Sequence, residues 1–188
     1  MKYEIIKEDF KEVGLFKTKV YRIKNTSTNE LGGYIENESN LSHEGDCWVG
    51  GEAAVYGNAR VLDNARVLDN ATACDSAVVY GNAIVRGKAA IACEATIFGN
   101  AQVMDNATIG GVAQIKGFAK VREHSKVFGR PEIEGQTDVH GESIISGWAK
   151  IMDSDLEDCQ IGDFAMLRGV SVKGLQVQGS GSMQGISV

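Results

Sequence analysis

Residues 57–71 read GNARVLDNARVLDNA, so the six residues NARVLD occur twice and then begin a third time. Cutting the chain every six residues from Val49 carries this beat to Ile151 and the hexad it opens. At the first position of the eighteen hexads, seventeen residues are Val or Ile, with Ala73 the exception. Four places on, thirteen of eighteen are Ala; Ser125, Pro131, Thr137, Ser143 and Asp155 replace it. Two places after the aliphatic residue, sixteen of eighteen are Gly or Asp.

A helix would need apolar residues every three or four positions, and a simple half-buried strand every two. A period of six fits a short strand followed by a sharp corner. The β-branched residue points inward, and the small Ala fills the cramped inner corner. Gly, Asp and Asn take the turn because they tolerate unusual dihedrals and can bond their own backbone. Three such sides close a triangular coil, and stacked coils hydrogen-bond along the axis as strands of a parallel sheet do. Each buried Val or Ile contributes roughly 1.5–3 kcal/mol as an upper estimate, ample for a rigid prism. The expected fold is all-β: a single-chain parallel β-helix with a small N-terminal β cap.

The pattern over residues 45–170 resembles the hexapeptide-repeat, left-handed parallel β-helix superfamily. Left-handed coiling is what that resemblance implies; ordinary crossover rules favour the right-handed sense. Upstream, LGGYIENESNLSHEGDCWV (Leu31–Val49) is similar to the entry segment of hexapeptide-repeat proteins of phage and prophage genomes.

An open β-helix end exposes unpaired backbone and an apolar cross-section, so it needs a cap. KYEIIK and LFKTKVYRIK alternate like two strands, which makes residues 1–42 a β cap or hairpin, with Gly32-Gly33 turning into the first coil. A partner-binding head is the other reading of this segment. The β-helix is placed at residues 43–170. Leu156, Ile161 and Leu167 follow at shorter spacings, so one or two shorter-sided coils continue there. Residues 171–188 lose the pattern and read as a terminal strand with a Gly/Ser-rich tail.

On a three-sided prism, residues eighteen apart lie above one another. One face then carries Leu62, Tyr80 and Phe98, with Val78 beside them; a second carries Tyr56, Cys74, Ala92, Gly110 and Phe128; the third carries Leu68, Arg86, Met104, Arg122 and His140. Leu62, Val78, Tyr80 and Phe98 are contiguous, which suits a subunit interface better than scattered apolar surface. The superfamily commonly forms homotrimers with parallel axes, so a homotrimer is what the resemblance implies. Asn64, Asn82 and Asn100 stack on the corner after that face and read as a ladder of turn amides.

Charge is the other departure from monotony. Lys116, Lys120, Arg122, Lys126 and Arg130 fall within about one coil, opposed within that stretch by Glu123 alone, with His124 at a corner among them. This basic belt reads either as a solvated ring or as a holder of an anion such as a nucleotide in an intersubunit groove. Trp148 lies eighteen residues from Arg130, close enough to stack on it. Phe118, at a different corner, is exposed without an evident structural reason.

The chain of 188 residues carries a net charge of −6 at pH 7, which gives no global attraction to nucleic acid or to anionic membranes. No apolar run is long enough for a transmembrane helix, and the N-terminus is no signal peptide. Four cysteines without C-x-x-C spacing fit a reduced, cytoplasmic setting. Three function classes remain. The resemblance brings in acyl-CoA-dependent acyltransferases, which need a His base; His124 and His140 are the weak candidates on the repeats. Familiar members throw a long loop from one coil to enclose the site, and here the beat has no room for one. A γ-type carbonic anhydrase would need three His ligands with a close pair, and His43, His124 and His140 supply no such spacing. The remaining classes are a non-catalytic scaffold and a binding module for an anionic ligand or a host partner. The sequence favours these two over catalysis and calls for no cofactor or metal.

Overall fold

The structure is a computed structural model. It describes residues 1–152 and, beyond them, the strands Asp155–Glu157, Gln160–Ile161, Met166–Arg168, Ser171–Lys173, Gln176–Val177 and Ser182–Gln184. Its elements are β-strands and one 3-10 turn at Glu38–Asn40. From β4 (Trp48–Val49), β5 (Ala54–Val55) and β6 (Arg60–Val61) onward, short strands sort in rotation into three parallel sheets, forming a β-solenoid of about seven turns. The chain is therefore a parallel β-helix.

The registers follow the six-residue pattern. Ile97 pairs with Val79 below and Ile115 above, and Val85 pairs with Val67 and Val103. Successive coils are joined by backbone hydrogen bonds: the Tyr80 N–H donates to the Ile97 carbonyl at 3.0 Å, and the Phe98 N–H to that of Ile115 at 2.9 Å. The aliphatic column and the corner residues Ala53–Ala119 are fully buried in one continuous core. Ser125, Thr137 and Ser143, which replace Ala, are buried as well.

The Gly/Asp position is where the backbone turns left-handed. Every residue there from Gly51 to Gly147 has positive φ, including Asp63, Asp69, Asp75, Asp105, Cys93 and Glu123. The acidic residues use their side chains differently from the expectation that they bond their own turns. Asp63 accepts from the Gly81 N–H at 3.0 Å, Asp69 from Gly87 at 3.0 Å and Asp105 from Glu123 at 3.1 Å, each a residue of the next coil. Glu123 extends the series by accepting from the Gly141 N–H at 2.9 Å. Where Gly stands, backbone crowding adds to the need for it: a Cβ on Gly111 (φ +71°) would lie 2.3 Å from the Gly129 carbonyl oxygen.

At the N-terminal end β1 (Tyr3–Val13) and β2 (Thr18–Asn25) form an antiparallel hairpin, and β2 pairs with β3 (Leu31–Ile35). β3 pairs in parallel with β5, so the hairpin extends one prism sheet to eleven strands. Tyr3, Ile23, Ile35 and Leu41 are buried as part of the prism core. The Tyr3 hydroxyl donates to the Leu41 carbonyl at 2.7 Å, and its ring stacks on His43 at 4.3 Å. Burial raises the Tyr3 pKa well above that of an ordinary phenol. Arg22 bridges Asp9 and Glu52, both at 3.0 Å, tying the hairpin to the first coil. Glu52 is held below the usual carboxylate range chiefly by the Arg22 hydrogen bond.

Two expectations about the ends are corrected. Gly32 and Gly33 lie inside β3 and make no turn; Cβ atoms there would come 2.7 Å from the Val49 carbonyl and 2.6 Å from the Ala53 carbonyl. They are glycines because two backbones meet. Residues 171–188, expected to hold one strand and a tail, contribute three strands, each paired in parallel with the coil before. Ile145 pairs with Ile161 and then Val177, a step of sixteen residues instead of eighteen. The offset between paired aliphatic residues thus drops below eighteen, which hides the period.

Candidate functional site

The three faces hold the columns expected of them. On the Leu62 face, the rings of Tyr80 and Phe98 stack at 4.9 Å with planes 2° apart. Leu62, Val78, Tyr80 and Phe98 are each half-buried within one chain, so the stack shields itself in part. On the following corner the Asn64 Nδ2 donates to Asn82 Oδ1 at 3.1 Å, and Asn82 Nδ2 to Asn100 Oδ1 at 3.3 Å. The Tyr56 face is chemically quiet. Burial pushes the Tyr56 phenol up to about 12 and raises the Cys74 thiol, so neither is a ready nucleophile near neutral pH.

The basic belt is only half free. Lys116 pairs with Glu132 and, at 3.0 Å, with Glu134. Arg122 bonds Asp138 at 2.9 Å and also pairs with Glu123. Hydrogen bonding to Glu132 raises the Lys116 pKa, and hydrogen bonding to Asp138 raises that of Arg122. Glu132 is correspondingly lowered by Lys116 and then by Lys150, 3.3 Å away. The count of one opposing acid within the stretch missed these partners, because they lie sixteen to eighteen residues on, directly across the next coil. Lys120, Lys126 and Arg130 make no ion pair among the described residues.

Around the free cations the structure brings some candidates together and separates others. Asn106, His124, Lys126, Glu142 and Ile144 line a groove of about 300 Å³ between the His124 corner and the Tyr56 face. The His124 Nε2 lies 3.2 Å from the Asn106 amide nitrogen. His140 is half-buried on the Leu68 face and does not line this groove. Arg130 lies over the Trp148 ring at 4.8 Å, on the corner between the Tyr56 and Leu62 faces. Among the described residues, no group of three or more His, Cys, Asp or Glu side chains is placed to hold a metal ion. No helix there is long and apolar enough to cross a membrane.

Sequence reasoning missed one apolar feature and, in Val112, part of a second. Leu15 and Phe16, at the tip of the β1–β2 hairpin, are 97% and 94% exposed. Val112, Phe128 and Trp148 are exposed along or beside one prism corner, the one that also carries Arg130. The six-residue register signalled the second, since positions 112, 130 and 148 share a column; nothing in the repeat reports on the hairpin. The chain matches no protein-family model and no curated protein sequence.

Proposed function

We propose that the chain is a non-catalytic, homotrimeric scaffold or binding module of the left-handed hexapeptide-repeat kind, resembling phage and prophage relatives. Its grooves are suited to an anionic, nucleotide-like ligand. The observation that carries this reading is the unbroken coil sequence from Val49 to Ile151, which leaves chemistry only to outward side-chain columns. The Tyr80–Phe98 stack supplies an apolar surface against which a neighbouring copy could pack. Lys126 and His124 share a groove open on one side, and Lys120 and Arg130 flank that level of the prism without carboxylate partners. A phosphate placed beside Lys126 would gain charge-assisted hydrogen bonds, with a neighbouring subunit as the second wall.

An acyltransferase reading would use His124 as base. A proton acceptor must face the acceptor substrate, whereas the His124 Nε2 is already engaged with Asn106. Native mass spectrometry of protein taken directly from cells tests the proposal, because it reports subunit count and retained ligand together. Three chains with a retained anion, lost on Lys126→Ala, is the expected result. A monodisperse monomer in light scattering at micromolar concentration would remove the interface and the groove with it. Acetyl-CoA turnover abolished by His124→Ala would replace this reading with the catalytic one.

A further inference from the structure

A second groove lies one corner away from the His124 groove and differs from it in chemistry. Its volume is about 310 Å³, and it is lined by Asn100, Gln102, Phe118, Lys120, Gln136 and Asp138. These six residues form two columns over three successive coils. Asn100, Phe118 and Gln136 follow one another up the corner, while Gln102, Lys120 and Asp138 pair strand to strand on the Leu68 face. All belong to one chain, so the groove is complete without a partner subunit.

The corner column explains why the groove exists. From Asn64 to Asn100 each amide hands a hydrogen bond to the next coil. At the next rung the ladder meets Phe118, which cannot accept one and is 62% exposed. The Asn100 Nδ2 therefore ends the ladder as a donor without an acceptor among the described residues, beside an open aromatic face. Gln102 and Lys120 also make no side-chain hydrogen bond among the described residues. Asp138 uses Oδ1 to accept from Arg122, which fixes the carboxylate in place.

The groove thus offers one aromatic plate, amides able to donate and accept, one ammonium and one anchored carboxylate. The Arg122–Asp138 pair cancels within itself, which leaves Lys120 as the one unpaired charge in a lining otherwise neutral and polar among the described residues. A ligand for such a surface carries many hydroxyls, each both donor and acceptor, and one face of C–H bonds to lay on a phenyl ring. We infer that this groove binds a neutral pyranose. Its C–H face lies on Phe118, and its hydroxyls bond Asn100, Gln102, Lys120 and Asp138. A volume near the lower end for ligand sites suits one sugar ring. The inference does not depend on the trimer or on the anion groove.

NMR titration of the intact protein tests it, following the side-chain amide resonances of Asn100 and Gln102. The probes are glucose, N-acetylglucosamine and cellobiose, with AMP as the anionic comparison. At least one sugar shifts both amides in a saturable way, and AMP does not. Phe118→Ala weakens that binding by about tenfold, the loss of one anchoring contact, while Phe118→Tyr retains it. Because Phe118 is exposed, neither change threatens the fold. Preference for cellobiose assigns the groove to a glycan chain end, and preference for a monosaccharide to a free sugar; both support the pyranose site. No saturable shift with any of the sugars, equal binding by Phe118→Ala, or tighter binding of AMP at these amides would overturn it.

Discussion

The prism has two halves that share an interior and differ outside. Below about residue 119, corners are Ala and the outer surface repeats, with an asparagine ladder on one corner and acidic side chains gripping the coil above. Above it, Ser125, Pro131, Thr137 and Ser143 take four corners before Ala149 restores the alanine, and the outside becomes a lattice of charge: Lys116 with Glu132 and Glu134, Glu132 with Lys150, Arg122 with Asp138. The interior asks only for an aliphatic residue and a small one, and a hydroxyl at the small position calls for a partner. Thr137 and Ser143 meet that demand by donating to the Glu134 and His140 carbonyls, both at 2.7 Å. The candidate grooves lie where the repetition lapses, at His124 and Phe118. The difference teaches that a uniform interior frees the exterior to diverge coil by coil.

The sharpest way to break this comparison is through the interior they share. Ile97→Ala removes a fully buried side chain whose neighbours are fixed by sheet registers, and stability should fall by about 2–5 kcal/mol. Urea denaturation checks it, and a loss of only a few tenths would mean the column is not tightly packed. The next test lies in the upper half. Ser125 is buried, and its Oγ has no hydrogen-bond partner, unlike Thr137 and Ser143. Ser125→Ala should therefore stabilise the protein by about 1 kcal/mol, visible as a raised denaturation midpoint. A destabilised variant would show that the hydroxyl is satisfied in solution.

The smallest effect separates the halves by pH. Glu132 is held below its ordinary value of about 4.3, so its contribution is fully present above that value and is lost as pH falls through the lowered folded pKa. Glu132→Gln should cost about 0.5 kcal/mol at neutral pH, and the gap should close in acid. Paired denaturation curves at neutral and acidic pH measure it; a gap that widens in acid would reverse the sign argued here.

Much of the fold was legible because the signal came from burial, which repeats. Val, Ala and the Gly/Asp position each report a fixed inside or corner environment, and their columns predicted the registers residue by residue. Surface chemistry was less legible, because it depends on which residues meet across coils. The belt looked free because Glu132, Glu134 and Asp138 are distant in sequence and adjacent in space. The stacking of Arg130 on Trp148 was readable, since both obey the eighteen-residue offset. The Gly32-Gly33 pair misled because the same residue serves a turn and a close backbone approach, and only the partner strand distinguishes them. Phe118 was visible as an exposed aromatic, but its place at the end of an amide ladder depends on hydrogen bonds between coils.

Each acidic corner residue of the Asp63 kind clasps the backbone of one successor, and each coil of the prism touches only its neighbours. Such a molecule behaves as a linear array of coupled units. Pulled from its C-terminal end, it would unravel as a staircase, releasing about 60 Å of extended chain for every eighteen-residue coil peeled away.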